Sequence, residues 1–223
     1  MKRKGLILAS ISLGIIYLAF SYFNILRFYK YPTTANEPGI KEGSRIVWSN
    51  LLEPQKLDYI VYTTEFEDLG KFEAAMRLVG EPGDIIRIEE GDLYVNDQLI
   101  DEKIELRHSY KSHKDYFNKN VLPVVKPNHY FAFHQDSIMV FIDEGLVEKS
   151  NFDLTRIITP SNKVDKIIKR VYKENWNIDN FGPLEIPKDK YFVIGDNRGN
   201  SIDSRVNGLV EKKDVLGKII LIW

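Results

Sequence analysis

From Gly5 to Leu26 the chain reads GLILASISLGIIYLAFSYFNIL without one charged side chain, directly behind Lys2, Arg3 and Lys4. As a helix rising ~1.5 Å per residue this run extends about 33 Å, enough for the ~30 Å hydrocarbon core of a bilayer. A cleaved secretion signal would begin with the same basic cluster. Its apolar part would be shorter, however, and only Ala19 and Ser21 supply small residues near the end of this one. Residues 1–27 therefore read as an uncleaved anchor. Lys2, Arg3 and Lys4 favour a cytoplasmic N-terminus, with Arg27 and Lys30 behind the run making the asymmetry modest. That orientation puts residues 28–223 on the extracytoplasmic side of the inner (plasma) membrane, tethered to membrane lipid by a single pass.

Beyond the anchor the pattern changes. No second apolar run approaches the length of a span. Short alternating or β-branched runs recur instead: RIVWS, DYIVYTT, DIIRIEEGDLYVND, HYFAFHQDSIMVFI, KYFVIGD and KIILIW. Turn residues in EPGD, EEGD and VND bound several of them, so they read as strands and hairpins. Helical periodicity is confined to Asn162–Asn175, where Val164, Ile167, Ile168 and Val171 fall at i, i+3, i+4 and i+7. The expected fold is mainly β, after a single transmembrane helix, with a less regular inserted subdomain over residues 105–180.

Composition removes several functions. Basic and acidic residues balance at 31 and 32, without the basic excess of a nucleic-acid surface. With no cysteine there is no disulfide, thiolate metal site or cysteine nucleophile. The histidines pair as His108/His113 and His129/His134, and a gap of five puts the members of a pair on opposite faces of a strand. They read as partly exposed structural residues. No metal and no cofactor is expected.

The densest chemistry lies in YFVIGDNRGNSIDSRVNG, Tyr191 to Gly208. Residue types alone allow a polar turn that satisfies itself. Gly195 would let the chain turn at a strand end, Asn and Asp would bond to loop backbone, and Asp203 and Arg205 would share a face. The stretch also resembles the block YFxxGDNRxxSxDSRxxG of bacterial type I signal peptidases. Arg77 to Asp97, RLVGEPGDIIRIEEGDLYVND, is similar to the family's KRVxGxPGDxVxxxxGxLYVN. Tyr31 to Val47, YPTTANEPGIKEGSRIV, is similar to PSxSMxPTxxxGDxxxV, and NFGPLEIPKDKYFVIGDN resembles the approach to the last block. The matched blocks keep the family's order behind the anchor.

The resemblance implies a membrane-anchored β protein with a peptide groove. The family cuts signal peptides from exported preproteins after small residues at the third and first positions before the bond. It uses a Ser nucleophile and a Lys general base, kept neutral by an apolar wall that lowers its pKa. Oxyanion donors are the nucleophile's backbone N–H and a hydroxyl two residues earlier.

Here both catalytic side chains are replaced. In register, Ala35 takes the place of the nucleophile and Met76 that of the base, while Pro38, Gly43, Arg77, Gly80, Pro82, Gly83 and Asp84 all match. Alanine has no nucleophilic oxygen, and a thioether takes up no proton near neutral pH. Thr33 corresponds to the oxyanion hydroxyl, Arg77 to the residue beside the base, and Ser201 to a Ser that orients the Lys amine. Asp196, Asp203 and Arg205 fall on structural charges of the last block. In an extended segment Thr34 would face away from Ala35, and Thr33 would sit about 6.6 Å back on the same side. Lys71 would face away from Met76, Lys41 is out of register, and Ser44 replaces the Asp of the family's GD.

Two functions from different classes are then open. One is a non-catalytic binder of signal peptides or of secretion machinery. The other is an active endopeptidase using Thr33 or another unusual nucleophile, or an engineered inactive form of an ordinary one.

Overall fold

The computed structural model describes residues 2–22, 25–66 and 70–223. Helix α1 (Lys2–Tyr22) leads into β1 (Arg27–Lys30), β2 (Arg45–Ser49), β3 (Tyr59–Phe66) and β4 (Gly70–Gly80). Next come β5 (Ile85–Glu89), β6 (Asp92–Val95), β7 (Gln98–Leu99), β8 (Arg107–His113) and the single turn α2 (Lys114–Tyr116). After these lie β9 (Tyr130–His134), β10 (Ser137–Asp143), α3 (Glu144–Ser150), β11 (Thr155–Arg156) and α4 (Lys166–Tyr172). The chain closes with β12 (Phe181–Glu185), β13 (Lys190–Ile194), α5 (Ser204–Asn207), β14 (Val210–Glu211) and β15 (Val215–Ile222).

The strands form three sheets, ordered β1-β2-β15-β3-β4-β13-β14, β12-β5-β6-β7 and β11-β8-β10-β9. The mainly β expectation holds, and each run read as a strand or hairpin carries one. The turn chemistry is local. Glu90 and Gly91 have φ of 49° and 87°, and Asn96 and Asp97 have φ of 51° and 62°. Two successive positive φ values make the tight hairpins that join β5 to β6 and β6 to β7. Burial alternates along β5 and β6, and Ile86, Ile88, Leu93 and Val95 pack against Phe181 and Phe192.

The third sheet has its own core of Tyr110, Phe117, Val121, Ile138, Val140 and Ile142. It accounts for the insert between residues 107 and 156. The rest of the expected insert behaves otherwise: Ile168 of α4 is buried in the same cluster as Val79, Phe181, Phe192 and Ile194. Asp165 caps α4 by accepting from the backbone N–H groups of Ile167 and Ile168, at 2.7 and 3.1 Å. Of the four apolar residues at helical spacing only Ile168 is buried, because α4 touches the body along one line and has only two turns.

The histidines need correcting. His108 and His129 are buried, while His113 and His134 are exposed. His113 and His108 obey the strand alternation, but His129 lies in a short 3-10 turn ahead of β9, where that alternation does not apply. Burial, then the charges of Arg156, Arg198 and Arg205, push the His108 imidazole down to about 2, so it is neutral. Among the described residues no group of His, Asp and Glu could hold a metal ion.

The expected span falls partly on residues outside those described, including Phe23 and Asn24 and several side chains of α1. Among the described residues no helix is long and apolar enough to cross a membrane.

Candidate functional site

The middle of the large sheet brings the three sequence blocks together. β4 lies between β3 and β13, so Met76 stands opposite Ile60, and Arg77 stands opposite both Tyr59 and Ile194. The polar block starts where β13 ends. The Tyr31–Ile40 segment lies over this junction.

That segment is not extended. Glu37 N–H donates to the Thr34 carbonyl at 3.1 Å and Ile40 N–H to the Asn36 carbonyl at 2.8 Å, closing a turn. The strand-parity placement of Thr33 and Thr34 is therefore replaced by turn geometry. The Thr33 hydroxyl accepts from Ala35 N–H at 3.4 Å, which brings the two expected oxyanion donors side by side. The Thr34 hydroxyl accepts from the Asn200 amide at 3.1 Å. Asn36, fully buried, donates to the Ala75 carbonyl and to the Tyr31 hydroxyl, both at 2.8 Å, fastening the turn to β4 one residue before Met76. On the other flank Asn197 N–H donates to the Ala35 carbonyl at 3.0 Å.

Ala35 and Met76 are 8% and 7% exposed and belong to one apolar cluster with Ile60, Tyr62, Leu78, Tyr191, Val193 and Val210. They also line one cleft of about 630 Å³ with Thr33, Tyr62, Phe72 and Ser201. An ammonium in this slot would lose hydration among the apolar members of the cluster, whereas a thioether loses little. Lys71 is exposed and lines a different cleft, beside Glu65 and Asp214.

Two buried ion pairs stand behind the cleft. Arg77 Nε donates to Asp196 Oδ1 at 2.7 Å and Nη2 to Oδ2 at 2.5 Å, while Nη1 donates to the Leu57 carbonyl at 2.7 Å. Tyr59 donates its hydroxyl to Asp196, and the Arg77 guanidinium lies 4.1 Å over the Tyr59 ring. Burial opposes the Arg77 charge, but the Asp196 carboxylate outweighs it and raises the pKa. In the second pair Arg205 donates through Nε and Nη2 to the two Asp203 oxygens at 2.9 and 2.8 Å. Ser201 donates to Asp203 Oδ2 at 2.5 Å and accepts from Arg205 Nη2 at 3.1 Å. Burial works to raise the Asp203 pKa, yet Arg205, Ser201 and the Gly195 N–H together hold it below the usual carboxylate range. Asp203 and Arg205 share a face as their spacing allows, but pair with each other rather than with other charges of the loop.

Gly195 has a different reason from the one expected. Its φ is not positive, but a Cβ there would lie 2.6 Å from the Ala35 carbonyl oxygen and 2.7 Å from Ser201 Oγ. Close approach of the Ala35 backbone and the Ser201 side chain, rather than a sharp turn, requires glycine.

Sequence reading missed Tyr59, Asn36 and a buried cluster of Glu37, Arg107 and His129. Asn36 stands where the family's pattern has Met, so it reads as a mismatch rather than a signal, and Tyr59 lies between two matched blocks. Arg107 and His129 lie in the insert, which no motif covers.

A mainly β body with an apolar cleft, a Thr33 hydroxyl beside the Ala35 N–H and a buttress of two buried ion pairs brings together the blocks that resemble the signal-peptidase type. A family model described as "Signal peptidase, peptidase S26" matches residues 3–223, and the chain belongs to that family. Among curated relatives, Signal peptidase I of Buchnera aphidicola subsp. Acyrthosiphon pisum is 33% identical over 160 residues, covering 66% of this chain and 47% of that protein. Signal peptidase I of Buchnera aphidicola subsp. Baizongia pistaciae is 29% identical over 158 residues, covering 66% and 48%. The chain therefore spans about half the length of these relatives. Signal peptidase I P of Bacillus subtilis subsp. natto is 66% identical over 38 residues, covering 17% of this chain and 20% of its own. A crystal structure of a signal peptidase I from Enterococcus faecalis V583 is 22% identical, with a TM-score of 0.37, covering 77% of this chain and 100% of that one.

Proposed function

We propose that this family member is held at the extracytoplasmic face of the membrane and captures peptides in its cleft without cutting them. The peptides would be signal peptides of exported preproteins or segments of the secretion machinery. One observation carries the reading. Ala35 and Met76 pack into a single apolar cluster at the two dyad positions, while Thr33, the Ala35 N–H, Ser201 and both ion pairs are kept around the cleft. Chemistry is missing from a site whose shape and supports remain.

An active peptidase using Thr33 is less well supported. Among the described residues lining the cleft there is no Lys or His, and the one carboxylate, Glu73, pairs with Arg27 at 3.9 Å. The anchor assignment draws on the uncharged run Gly5–Leu26 behind the basic cluster, since among the described residues no helix reaches the length and apolarity of a span.

A fluorescent signal peptide with Ala at the third and first positions before the bond tests the reading on the whole chain in detergent. It should bind and stay intact, and bulky residues at those positions should weaken binding. Equal affinity for both peptides removes the groove. Cleavage that Thr33→Val abolishes overturns the silent-site reading. Protease added outside spheroplasts should digest residues beyond about 30 and spare the N-terminus.

A further inference from the structure

The turn carrying Ala35 is held from two directions. One hold is the last block, through Asn197 and Asn200. The other comes from the insert and is ionic. Glu37, 1% exposed, accepts through Oε2 from Arg107 Nη1, with His129 Nε2 3.1 Å from the same oxygen. Its Oε1 accepts the Glu42 N–H at 3.0 Å. Arg107 is the first residue of β8, and its Nε donates to Asp143 Oδ1 at 2.6 Å, at the end of β10. The Arg107 backbone is bonded to the last block as well: its N–H donates to the Asp196 carbonyl at 3.0 Å, and its carbonyl accepts from Arg198 N–H at 2.8 Å.

A buried carboxylate on the site turn is thus matched by a cation from the insert, and that cation's own backbone is tied to the polar block behind the cleft. Buried pairs are weak sources of net stability, but losing one partner is costly, so they fix one arrangement against others. Glu37 donates its own N–H to the Thr34 carbonyl, so moving Glu37 moves the residues that present Thr33 and Ala35. We propose that Glu37, Arg107 and His129 are positioning residues, through which the insert sets the Thr33–Ala35 wall of the cleft relative to Met76. The insert is then part of the peptide site although its side chains do not line the cleft. This rests on the peptide-capture reading.

The test uses the whole chain in detergent with two readouts, hydrogen exchange of each segment and affinity for the Ala-containing signal peptide. Arg107→Met leaves buried Glu37 with His129 alone as its side-chain partner and risks the fold, so the Glu37→Leu/Arg107→Met double variant, which removes both members of that pair and leaves only the partly exposed Asp143 without its arginine, is measured beside it. The double variant should keep exchange in β13 at the unmodified rate while residues 31–40 exchange at least tenfold faster and the peptide binds at least tenfold more weakly. Arg107→Lys should fall between. Unchanged exchange over residues 31–40 in the folded double variant overturns the proposal, as does unchanged affinity alongside faster exchange. If the unmodified chain binds no peptide, the capture reading falls by itself, and the exchange comparison alone decides the positioning.

Discussion

On the proposed reading, placing a lysine at position 76 is the sharpest perturbation the site offers. Met76 is 7% exposed and surrounded by Ala35, Ile60, Tyr62, Leu78 and Val193, with no carboxylate in that cluster. Lysine is close to methionine in length, so Met76→Lys changes polarity more than shape. A lysine titrates near 10.4 in the unfolded chain, and burial among apolar groups favours its neutral form. A depression of about 2 pKa units at ~1.36 kcal/mol each gives about 2–3 kcal/mol of destabilisation near pH 7. The sign is set by proton uptake. The unfolded chain binds the proton more tightly, so the loss is complete below the depressed folded value and shrinks as pH rises towards about 10.4.

Urea unfolding in detergent, followed by tryptophan fluorescence with fully buried Trp48 among the reporters, measures this directly. The difference between variant and unmodified chain should fall by about 2 kcal/mol between pH 7 and pH 10. The difference, rather than either curve, is the readout, because tyrosines whose titration burial pushes up in the folded chain ionise near pH 10 once unfolded. A loss independent of pH would show that the amine reaches water and that the slot is not sealed. The same variant then serves chemistry. Ala35→Ser alone and Met76→Lys alone should cleave nothing measurable, because nucleophile and base act as a unit. The two together should cleave signal peptide, at a rate that rises with pH as the lysine loses its proton.

Asp203→Asn would leave Arg205, whose side chain is 3% exposed, without its counter-charge, and should cost about 3–5 kcal/mol in urea unfolding. The depressed Asp203 carboxyl contributes stability above the usual carboxylate range and loses it as pH falls through the folded value, so this variant should show a shallower acid transition. Gly195→Ala would set a methyl 2.6 Å from the Ala35 carbonyl oxygen and should lower stability by about 2 kcal/mol or more in thermal unfolding, and displace the turn. Thr33→Val, at an exposed position, should leave stability within about 0.5 kcal/mol but cut cleavage by the Ala35→Ser/Met76→Lys variant about 100-fold, as loss of an oxyanion donor does.

The sheets were legible because their signals are local. Alternation in DIIRIEEGDLYVND, with Glu90–Gly91 and Asn96–Asp97 at positive φ, specifies two hairpins whatever surrounds them. The insert was half legible. HYFAFHQDSIMVFI announced β9 and β10, but β8, RHSYKSH, hides its buried side among His108, Tyr110 and Ser112, so polar residues mask the alternation. Its outer boundary was blurred because α4 carries a helical pattern that does not say which core receives Ile168. Within the site, the residues named by block register do converge, since register is conveyed by motif. The backbone conformation was not: Thr34–Gly39 is a turn rather than a strand because Asn36 and Glu37 each find buried partners that only the assembled fold supplies.

That contrast bears on what kind of protein this is. If the dyad is lost as proposed and the chain were a relic free to drift, the supports would be expected to decay as well, since nothing would need them once no amine or oxyanion remained. Yet Ser201 keeps both of its bonds to the Asp203–Arg205 pair, and Thr33 keeps its place beside the Ala35 N–H. Each of these has an architectural use that needs no catalysis. Asp203 caps α5 through the Arg205 N–H and ties Gly195 to the polar block, and Asn197 holds the Ala35 carbonyl. The buttress alone therefore does not distinguish a peptide binder from a bare scaffold. The cleft does. A scaffold has no use for an open volume of about 630 Å³ between Phe72, Tyr62 and Ala35, and filling it with larger apolar side chains would bury more surface at ~25 cal/mol per Å². Ala74→Leu, at the partly buried residue beside that cleft, separates the two. A scaffold should tolerate or gain from it in thermal unfolding and show no other change. A peptide binder should hold its fold and lose at least tenfold in affinity for the Ala-containing signal peptide, and unchanged affinity would remove the cleft from the binding surface.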